Sequence, residues 1–285
     1  MKLSYYPGCS LEGTALDYDQ SVRELCVHLG VELADIPDWN CCGASSAHMT
    51  DHEVGIRLPL RNLLQVAGSG HDILVPCAAC FQRLRAADKE MRDNPGHWDI
   101  VGSIPEFEIV HISTFLARPE ILEKIRDKVS QPLSGLPVAC YYGCLSLRHP
   151  HITGAPNWEM PVNLERIIEA LGAKPVNWSH RTECCSGSLT MARPDIARKL
   201  VGDIAAAAKR AGATAMVTDC PMCQANVESR QLDLGGEDDL PVFFATELII
   251  AAIEGKYPKK QQKVHLVSPD VVTQHFDSTA TEDSA

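Results

Sequence analysis

Residues 72–80 read Asp-Ile-Leu-Val-Pro-Cys-Ala-Ala-Cys, and residues 215–223 read Ala-Met-Val-Thr-Asp-Cys-Pro-Met-Cys. Each is a short apolar run ending in a Cys-x-x-Cys. A run of this length reads as a buried strand, so each strand delivers a pair of thiols where it ends. Upstream stands an adjacent cysteine pair: Cys41-Cys42-Gly43 before the first run, Cys184-Cys185-Ser186-Gly187 before the second. The gap from pair to Cys-x-x-Cys is 34 residues in both cases. Further upstream is a lone cysteine behind two tyrosines, Tyr5-Tyr6-Pro7-Gly8-Cys9 and Tyr141-Tyr142-Gly143-Cys144. It precedes its pair by 31 residues in the first set and 39 in the second, which places an 8-residue insertion just after Cys144. Downstream, His111-Ile112-Ser113-Thr114-Phe115-Leu116 answers Phe243-Phe244-Ala245-Thr246-Glu247-Leu248, each a strand running into a helix. The chain is an internal duplication.

The segments between the cysteines alternate strand and helix. Strands are expected over 3–6, 31–36 and 72–76, and again over 137–142, 174–178 and 215–219. Helices are expected over 14–29 and 55–67, and again over 162–171 and 195–211. Within 14–29 the residues Val22, Leu25, Cys26 and Leu29 form one apolar stripe, closed by Gly30. Alternation of this kind predicts an α/β fold with mainly parallel sheets, in which ligands sit at strand C-terminal ends. The Ser, Pro and Gly of 129–136 read as a connection. They give a first unit over 1–130, a second over 136–257, and a flexible polar tail over 258–285.

The 285 residues are 45% hydrophobic and 22% charged, ordinary for a globular chain, and no run of 18 apolar residues is present. The balance of 26 basic against 37 acidic residues, net −11, argues against a nucleic-acid partner, whose phosphates need Lys and Arg. The opening MKLSYYPGCS has no secretory leader, so the expected compartment is the cytoplasm, where thiols stay reduced.

Twelve cysteines dominate the chemistry. Each repeat gathers five thiols, one more than a tetrahedral zinc site uses. An adjacent pair crowds two thiolates at one backbone position, which suits a multi-iron cluster with several coordination points. Structural zinc, disulfides and plain core burial are the competing readings. Disulfides are disfavoured by reducing conditions and by the strain of bridging neighbours. Cys26, on its helical stripe, and Cys140, alternating with Val138 and Tyr142 in a strand, read as core residues.

At these motifs the chain resembles the B subunit of heterodisulfide reductase, a member of the CCG-domain, cysteine-rich iron–sulfur family, over residues 1 to about 255. The resemblance implies two tandem CCG domains related by a pseudo-twofold. It also implies two noncubane 4Fe–4S clusters, each held by five cysteines. The first would use Cys9, Cys41, Cys42, Cys77 and Cys80; the second would use Cys144, Cys184, Cys185, Cys220 and Cys223. One departure is Ser186, which stands where the motif has glycine. The implied activity is an oxidoreductase acting on sulfur groups, CoB-CoM heterodisulfide reductase-like. It reduces a disulfide, or oxidises thiols, with one electron from each cluster. The alternative is a non-catalytic electron-transfer subunit of a membrane-linked or flavin-containing complex.

No GxGxxG follows a strand and no ferredoxin-type cysteine run is present, so electrons must come from another protein. The resemblance implies a ferredoxin-like iron–sulfur C subunit and, as often in the family, a flavin-bearing A subunit of the same complex as partners, with a small disulfide or thiol as substrate and no membrane insertion. His149 and His151, beside the insertion, are candidates to protonate product thiolates or to bind an anionic group, against the plainer reading of a solvated loop. His48 is a weaker candidate, and His111 reads as a core histidine. Arg148 and Arg193 are further candidates for an acidic substrate group. Tyr5, Tyr6, Tyr141 and Tyr142 precede the lone cysteines and are candidates to shield the clusters, against the plainer reading of strand packing. Trp39 and Trp178 lie at unequal distances from their cysteine pairs, which argues against a shared role.

Overall fold

The structure is a computed structural model and describes residues 1–44, 46–66, 68–98, 106–235 and 239–282. The first half runs β1 (Lys2–Tyr5), α1 (Gly8–Leu11), α2 (Leu16–Leu29), β2 (Glu32–Asp35), α3 (Ala47–Thr50), α4 (His52–Val66), β3 (Ile73–Val75), α5 (Ala78–Asp93), β4 (Ile109–His111), α6 (Ile112–Leu116) and α7 (Pro119–Lys128). The second runs β5 (Pro137–Tyr141), α8 (Pro150–Thr153), α9 (Asn163–Ala170), β6 (Lys174–Pro175), α10 (Pro194–Arg210), β7 (Ala215–Thr218), α11 (Pro221–Leu234), β8 (Val242–Phe244) and α12 (Ala245–Glu254). Two helices follow, α13 (Lys259–Gln262) and α14 (Asp270–Glu282).

Each half forms one four-stranded, wholly parallel sheet, with orders β2-β1-β3-β4 and β6-β5-β7-β8. Central strands buried on both faces need continuous apolar runs; Ile73, Leu74 and Val75 are all fully buried. In both sheets the lone cysteine follows the first strand, the cysteine pair follows the second, and the Cys-x-x-Cys follows the third. Strand order reverses between the first and third strands, so the thiols gather at the topological switch point, where open α/β sheets bind ligands. β4 pairs Val75 with His111, and β8 pairs Thr218 with Phe244. His111 therefore answers Phe244, one residue along from the pairing read in the sequence.

The halves interlock. α12 packs chiefly on α2 of the first half, while α6 and α7 pack on α9 of the second. The main hydrophobic core accordingly runs through both halves, from Leu3 to Phe276. A smaller core lies in the second half around Val201, Met216 and Val242.

Two expectations are corrected. Residues 258–278 are not a loose tail: Val272 and Phe276 on α14 enter the main core, and the buried side chain of His265 lies 2.7 Å from Glu228. Their apolar residues are few and widely spaced, so the segment reads as polar although it is anchored. The last residues of the expected tail, 283–285, lie outside the described residues, as does residue 67 of the expected 55–67 helix. The second correction concerns the residues after each Cys-x-x-Cys, which lie outside the expected helices: both motifs are helix starts. Cys77 caps α5 and Cys220 caps α11, with Pro221 in the first helical turn, a position where proline's missing N–H costs nothing.

Candidate metal centre

Each Cys-x-x-Cys places its two sulfurs at the N-terminus of a long helix, where the backbone dipole favours thiolate. The cysteine pair arrives from the end of β2 or β6, and the lone cysteine from the end of β1 or β5. In the first half, the sulfurs of Cys9 and Cys41 lie 3.8 Å apart, and those of Cys42 and Cys80 3.3 Å apart, with Cys77 bonded to Cys80. In the second, Cys144 and Cys184 are 3.7 Å apart and Cys185 and Cys223 3.6 Å apart, with Cys220 beside Cys223. All twelve cysteines are free thiols, and these separations are far beyond an S–S bond of about 2.05 Å. The two nests share one design. Cys42, Cys77 and Cys80 are buried while Cys9 and Cys41 are exposed; Cys185, Cys220 and Cys223 are buried while Cys144 is half-buried and Cys184 exposed. Each nest has a buried floor and an open lip.

The charge state of the nests fits a cation-bearing group. Hydrogen bonds from Cys41 and Cys80 hold Cys42 well below the ordinary thiol range, and one from Cys80 holds Cys77 down. Cys80 is pushed up because it shares its proton with Cys42 and Cys77. The second nest divides likewise: Cys184 and Cys185 are lowered by bonds from Cys144 and Cys223, and those two partners are raised. Five crowded sulfurs cannot all ionise without a counter-charge, and iron or zinc would supply one.

Glycine makes the close approach possible. Gly8 and Gly143, each just before a lone cysteine, have φ of +72° and +63°. A Cβ would lie 2.7 Å from the Cys80 sulfur at Gly8 and 2.8 Å from the Cys223 sulfur at Gly143. Gly43 (φ +74°) donates its N–H to Cys41 Sγ at 3.5 Å, and Ser186 (φ +57°) donates to Cys184 Sγ at 3.2 Å. The serine thus keeps the backbone geometry of the glycine it replaces.

The duplication extends to residues whose role the sequence left open. The Tyr6 hydroxyl donates to the Asn40 carbonyl at 2.7 Å and that of Tyr141 to the Glu183 carbonyl at 2.8 Å, each just before a cysteine pair. Burial raises both phenols, and four neighbouring cysteines in each nest add to the effect. Trp39 meets Tyr6 edge-on at 5.4 Å, and Trp178 tilts against Tyr141 at 6.1 Å. The two tryptophans therefore do share a ring contact with the matching tyrosines, although they stand at unequal offsets from their cysteine pairs. Tyr5 and Tyr142, one register away, bond instead to Asp19 and Glu165.

The nests adjoin across the interface of the two halves. Ala78, inside the first Cys-x-x-Cys, packs into the second half's core, and Met222, inside the second motif, packs against both cores. Tyr18 OH lies 3.4 Å from the carbonyls of both Pro76 and Asp219, the residues immediately before Cys77 and Cys220. α1, carrying Cys9, packs on α11; α8, in the insertion after Cys144, packs on α5. Such reciprocal contacts are those of a pseudo-twofold.

His149, at the N-cap of α8, and His151 within it stand exposed and stack on each other, with centroids 5.6 Å apart. The cation beside the second nest is Arg148, whose charge helps lower Cys184 and whose guanidinium donates to Thr182 Oγ1 at 3.4 Å. Arg83 acts similarly on Cys42. Arg193 instead pairs with Asp195 on the surface. His48 lies 3.5 Å from the Gly43 carbonyl. His111 is buried, with Nδ1 3.0 Å from Ser113 Oγ and 3.5 Å from Asp219. Cys26 and Cys140 are core residues whose thiols burial pushes up. No helix of the described residues is long and apolar enough to cross a membrane.

Comparison with known proteins agrees with this architecture. The family model of the CCG cysteine-rich domain matches residues 3–85 and again 138–228. The chain is 28% identical to the 8-methylmenaquinol:fumarate reductase membrane anchor subunit of Wolinella succinogenes, over 88% of this chain and 92% of that protein. It is 26% identical to the B subunit of the ferredoxin/F(420)H(2)-dependent CoB-CoM heterodisulfide reductase of Methanosarcina acetivorans, over 88% and 89%. A protein of Archaeoglobus profundus described as like the heterodisulfide reductase B subunit is 27% identical over 91% and 93%. Among solved structures, a hypothetical protein from Helicobacter pylori shares the fold, with TM-score 0.64 and 10% identity over 93% of this chain and 51% of that one. Two matched copies of the motif, covering more than half of the sequence, place this chain in the CCG cysteine-rich domain family, an oxidoreductase family of iron–sulfur type that includes the heterodisulfide reductase B subunit.

Proposed function

We propose that the protein is the iron–sulfur catalytic subunit of a heterodisulfide reductase-like complex. Cys9, Cys41, Cys42, Cys77 and Cys80 would hold one noncubane 4Fe–4S cluster, and Cys144, Cys184, Cys185, Cys220 and Cys223 a second. When bound, the two clusters supply one electron each, the number needed to reduce a disulfide to two thiols with the uptake of two protons. The single observation that carries this reading is the presence of two like five-thiol nests whose Cys-x-x-Cys turns adjoin across the pseudo-twofold. A lone one-electron centre would leave a high-energy thiyl radical; a pair avoids it.

The chain's own residues provide the frame. The buried thiols fix each group, the exposed Cys9 and Cys41 and, in the second nest, the half-buried Cys144 with the exposed Cys184 leave a side open to substrate, and Tyr6 and Tyr141 close the floor against water. Arg148 supplies positive charge beside the second lip. His149 and His151, on the surface nearby, are reserved for proton delivery. Electrons arrive from partner proteins, a ferredoxin-like iron–sulfur subunit and a flavin-bearing one, and the complex works in the cytoplasm.

The similarity to a fumarate reductase membrane anchor subunit favours a second reading, in which the same centres only relay electrons to or from a quinol-linked complex. Electron paramagnetic resonance of the oxidised, iron-loaded protein separates the two. A catalytic subunit shows a new signal on addition of a thiol, whereas a relay shows none.

A further inference from the structure

The two nests differ at the position after the cysteine pair, whose N–H bonds a cysteine sulfur in both; they differ also three residues after each Cys-x-x-Cys, where Arg83 lies near Cys42 and Asn226 bonds Cys185. In the first, the residue after the cysteine pair must be glycine for lack of room: a Cβ on Gly43 would lie 2.7 Å from Ala47 Cβ and 3.0 Å from Leu58 Cδ1. In the second, α3 has no counterpart; a short helical turn, Gly187–Leu189, follows instead, and a side chain fits. That side chain is Ser186. It takes a left-handed backbone conformation, φ +57°, that a residue with a Cβ adopts only against steric resistance. It is 3% exposed, and among the described residues its Oγ has no hydrogen-bond partner. A buried hydroxyl left unpaired is unfavourable, and here it comes on top of backbone strain. The serine N–H already serves Cys184 Sγ at 3.2 Å, so the hydroxyl stands at the edge of the second nest with a proton to give.

We propose that Ser186 donates this hydrogen bond to a sulfur, thiolate or inorganic sulfide, of the cluster in the second nest, making the two centres electronically unequal. The inference rests on the cluster reading above. Donors to cluster sulfurs stabilise the more negative, reduced form and raise the potential. The second centre is therefore the easier to reduce, and the first, facing Gly43, the stronger reductant. The duplicated scaffold thereby acquires an order of electron filling that its matched thiols alone would not give.

The test uses the full chain loaded with iron, as wild type, Ser186→Ala and Ser186→Gly. Iron per chain is measured, and each centre is titrated potentiometrically by electron paramagnetic resonance. Ser186→Gly also relieves the backbone strain, so it guards against a variant that fails to fold. The expected result is two resolved midpoints in wild type, the higher falling toward the lower in both variants, the lower unmoved, and iron content unchanged. Unmoved midpoints at full iron content overturn the proposal alone. Loss of iron from the second nest in both variants makes Ser186 a structural residue and also overturns it. A wild-type chain that takes up no iron overturns the cluster reading and this inference with it.

Discussion

Substituting alanine for Gly8 tests how tightly the nests are built. At φ +72°, any Cβ brings left-handed strain of about 1–2 kcal/mol. Gly30 has nearly the same backbone, φ +68°, and a Cβ there would meet nothing within 4 Å, so Gly30→Ala measures that strain alone. At Gly8 the new Cβ would sit 2.7 Å from Cys80 Sγ. That sulfur cannot retreat, being fixed in the first turn of α5 and 3.3 Å from Cys42 Sγ. Forcing an extra methyl into a packed site costs about 1–3 kcal/mol more. Gly8→Ala is therefore expected to lose roughly 2–5 kcal/mol, against roughly 1–2 kcal/mol for Gly30→Ala. Urea unfolding of the reduced, metal-free chain reads both, and Gly8→Ala should also take up less iron when reconstituted. Gly143→Ala, where the Cβ would meet Cys223 Sγ at 2.8 Å, should repeat the result in the second nest. Equal stabilities of Gly8→Ala and Gly30→Ala, with full iron uptake, would refute the close packing inferred for the glycine and the sulfur.

Three further outcomes follow from buried polar groups. Although burial opposes its charge, His265 is lifted to about 10 by hydrogen bonds to Glu228 and Glu247. A raised histidine stabilises the fold fully below its unfolded value of about 6.5 and loses that contribution as pH climbs toward 10. Wild type should lose roughly 2–4 kcal/mol over that window, a slope that His265→Gln flattens in urea titrations across pH. Asp219 is fully buried, with His111 Nδ1 3.5 Å away and no well-formed hydrogen bond to either carboxylate oxygen among the described residues; burial raises its carboxyl although His111 and Ser113 oppose the shift, so stability falls as pH rises from about 4 through its folded value. Asp219→Asn should be more stable than wild type at neutral pH by about 1 kcal/mol, and a loss of stability would contradict this. Tyr6→Phe and Tyr141→Phe each remove a hydrogen bond to a carbonyl beside a cysteine pair and should cost a similar ~1 kcal/mol in thermal or urea unfolding, the similarity being the mark of the duplication.

The strands and the thiols were legible in the sequence because both are local signals. An apolar run such as Ile73-Leu74-Val75 ending in cysteines specifies a buried parallel strand and the place where it delivers ligands, and repetition of the spacing doubles the confirmation. α5 was missed although Leu84, Ala87 and Met91 form a buried stripe, because the motif at its start reads as the end of the preceding strand. α11 gives a weaker signal, since it buries Asn226, Glu228 and Gln231 alongside Val227. Their partners, His265 and the backbone around Leu240 and Val242, are distant in sequence or on the next strand. The same non-locality hid the anchored C-terminal segment, the exchange of α6, α7 and α12 between halves, and the shared tyrosine–tryptophan contact. In that last case an unequal offset along the chain concealed an equal position in space. The Ser186 departure was visible, but that its backbone copies Gly43 was not, since φ is not written in a residue name.

The most direct measurement is iron and acid-labile sulfide per chain after anaerobic reconstitution, on wild type, Cys80→Ala, Cys223→Ala and the double variant. Two independent four-iron nests predict about eight irons in wild type, about four in each single variant and almost none in the double. Zinc in place of iron, or a single substitution that empties both nests, would contradict the account.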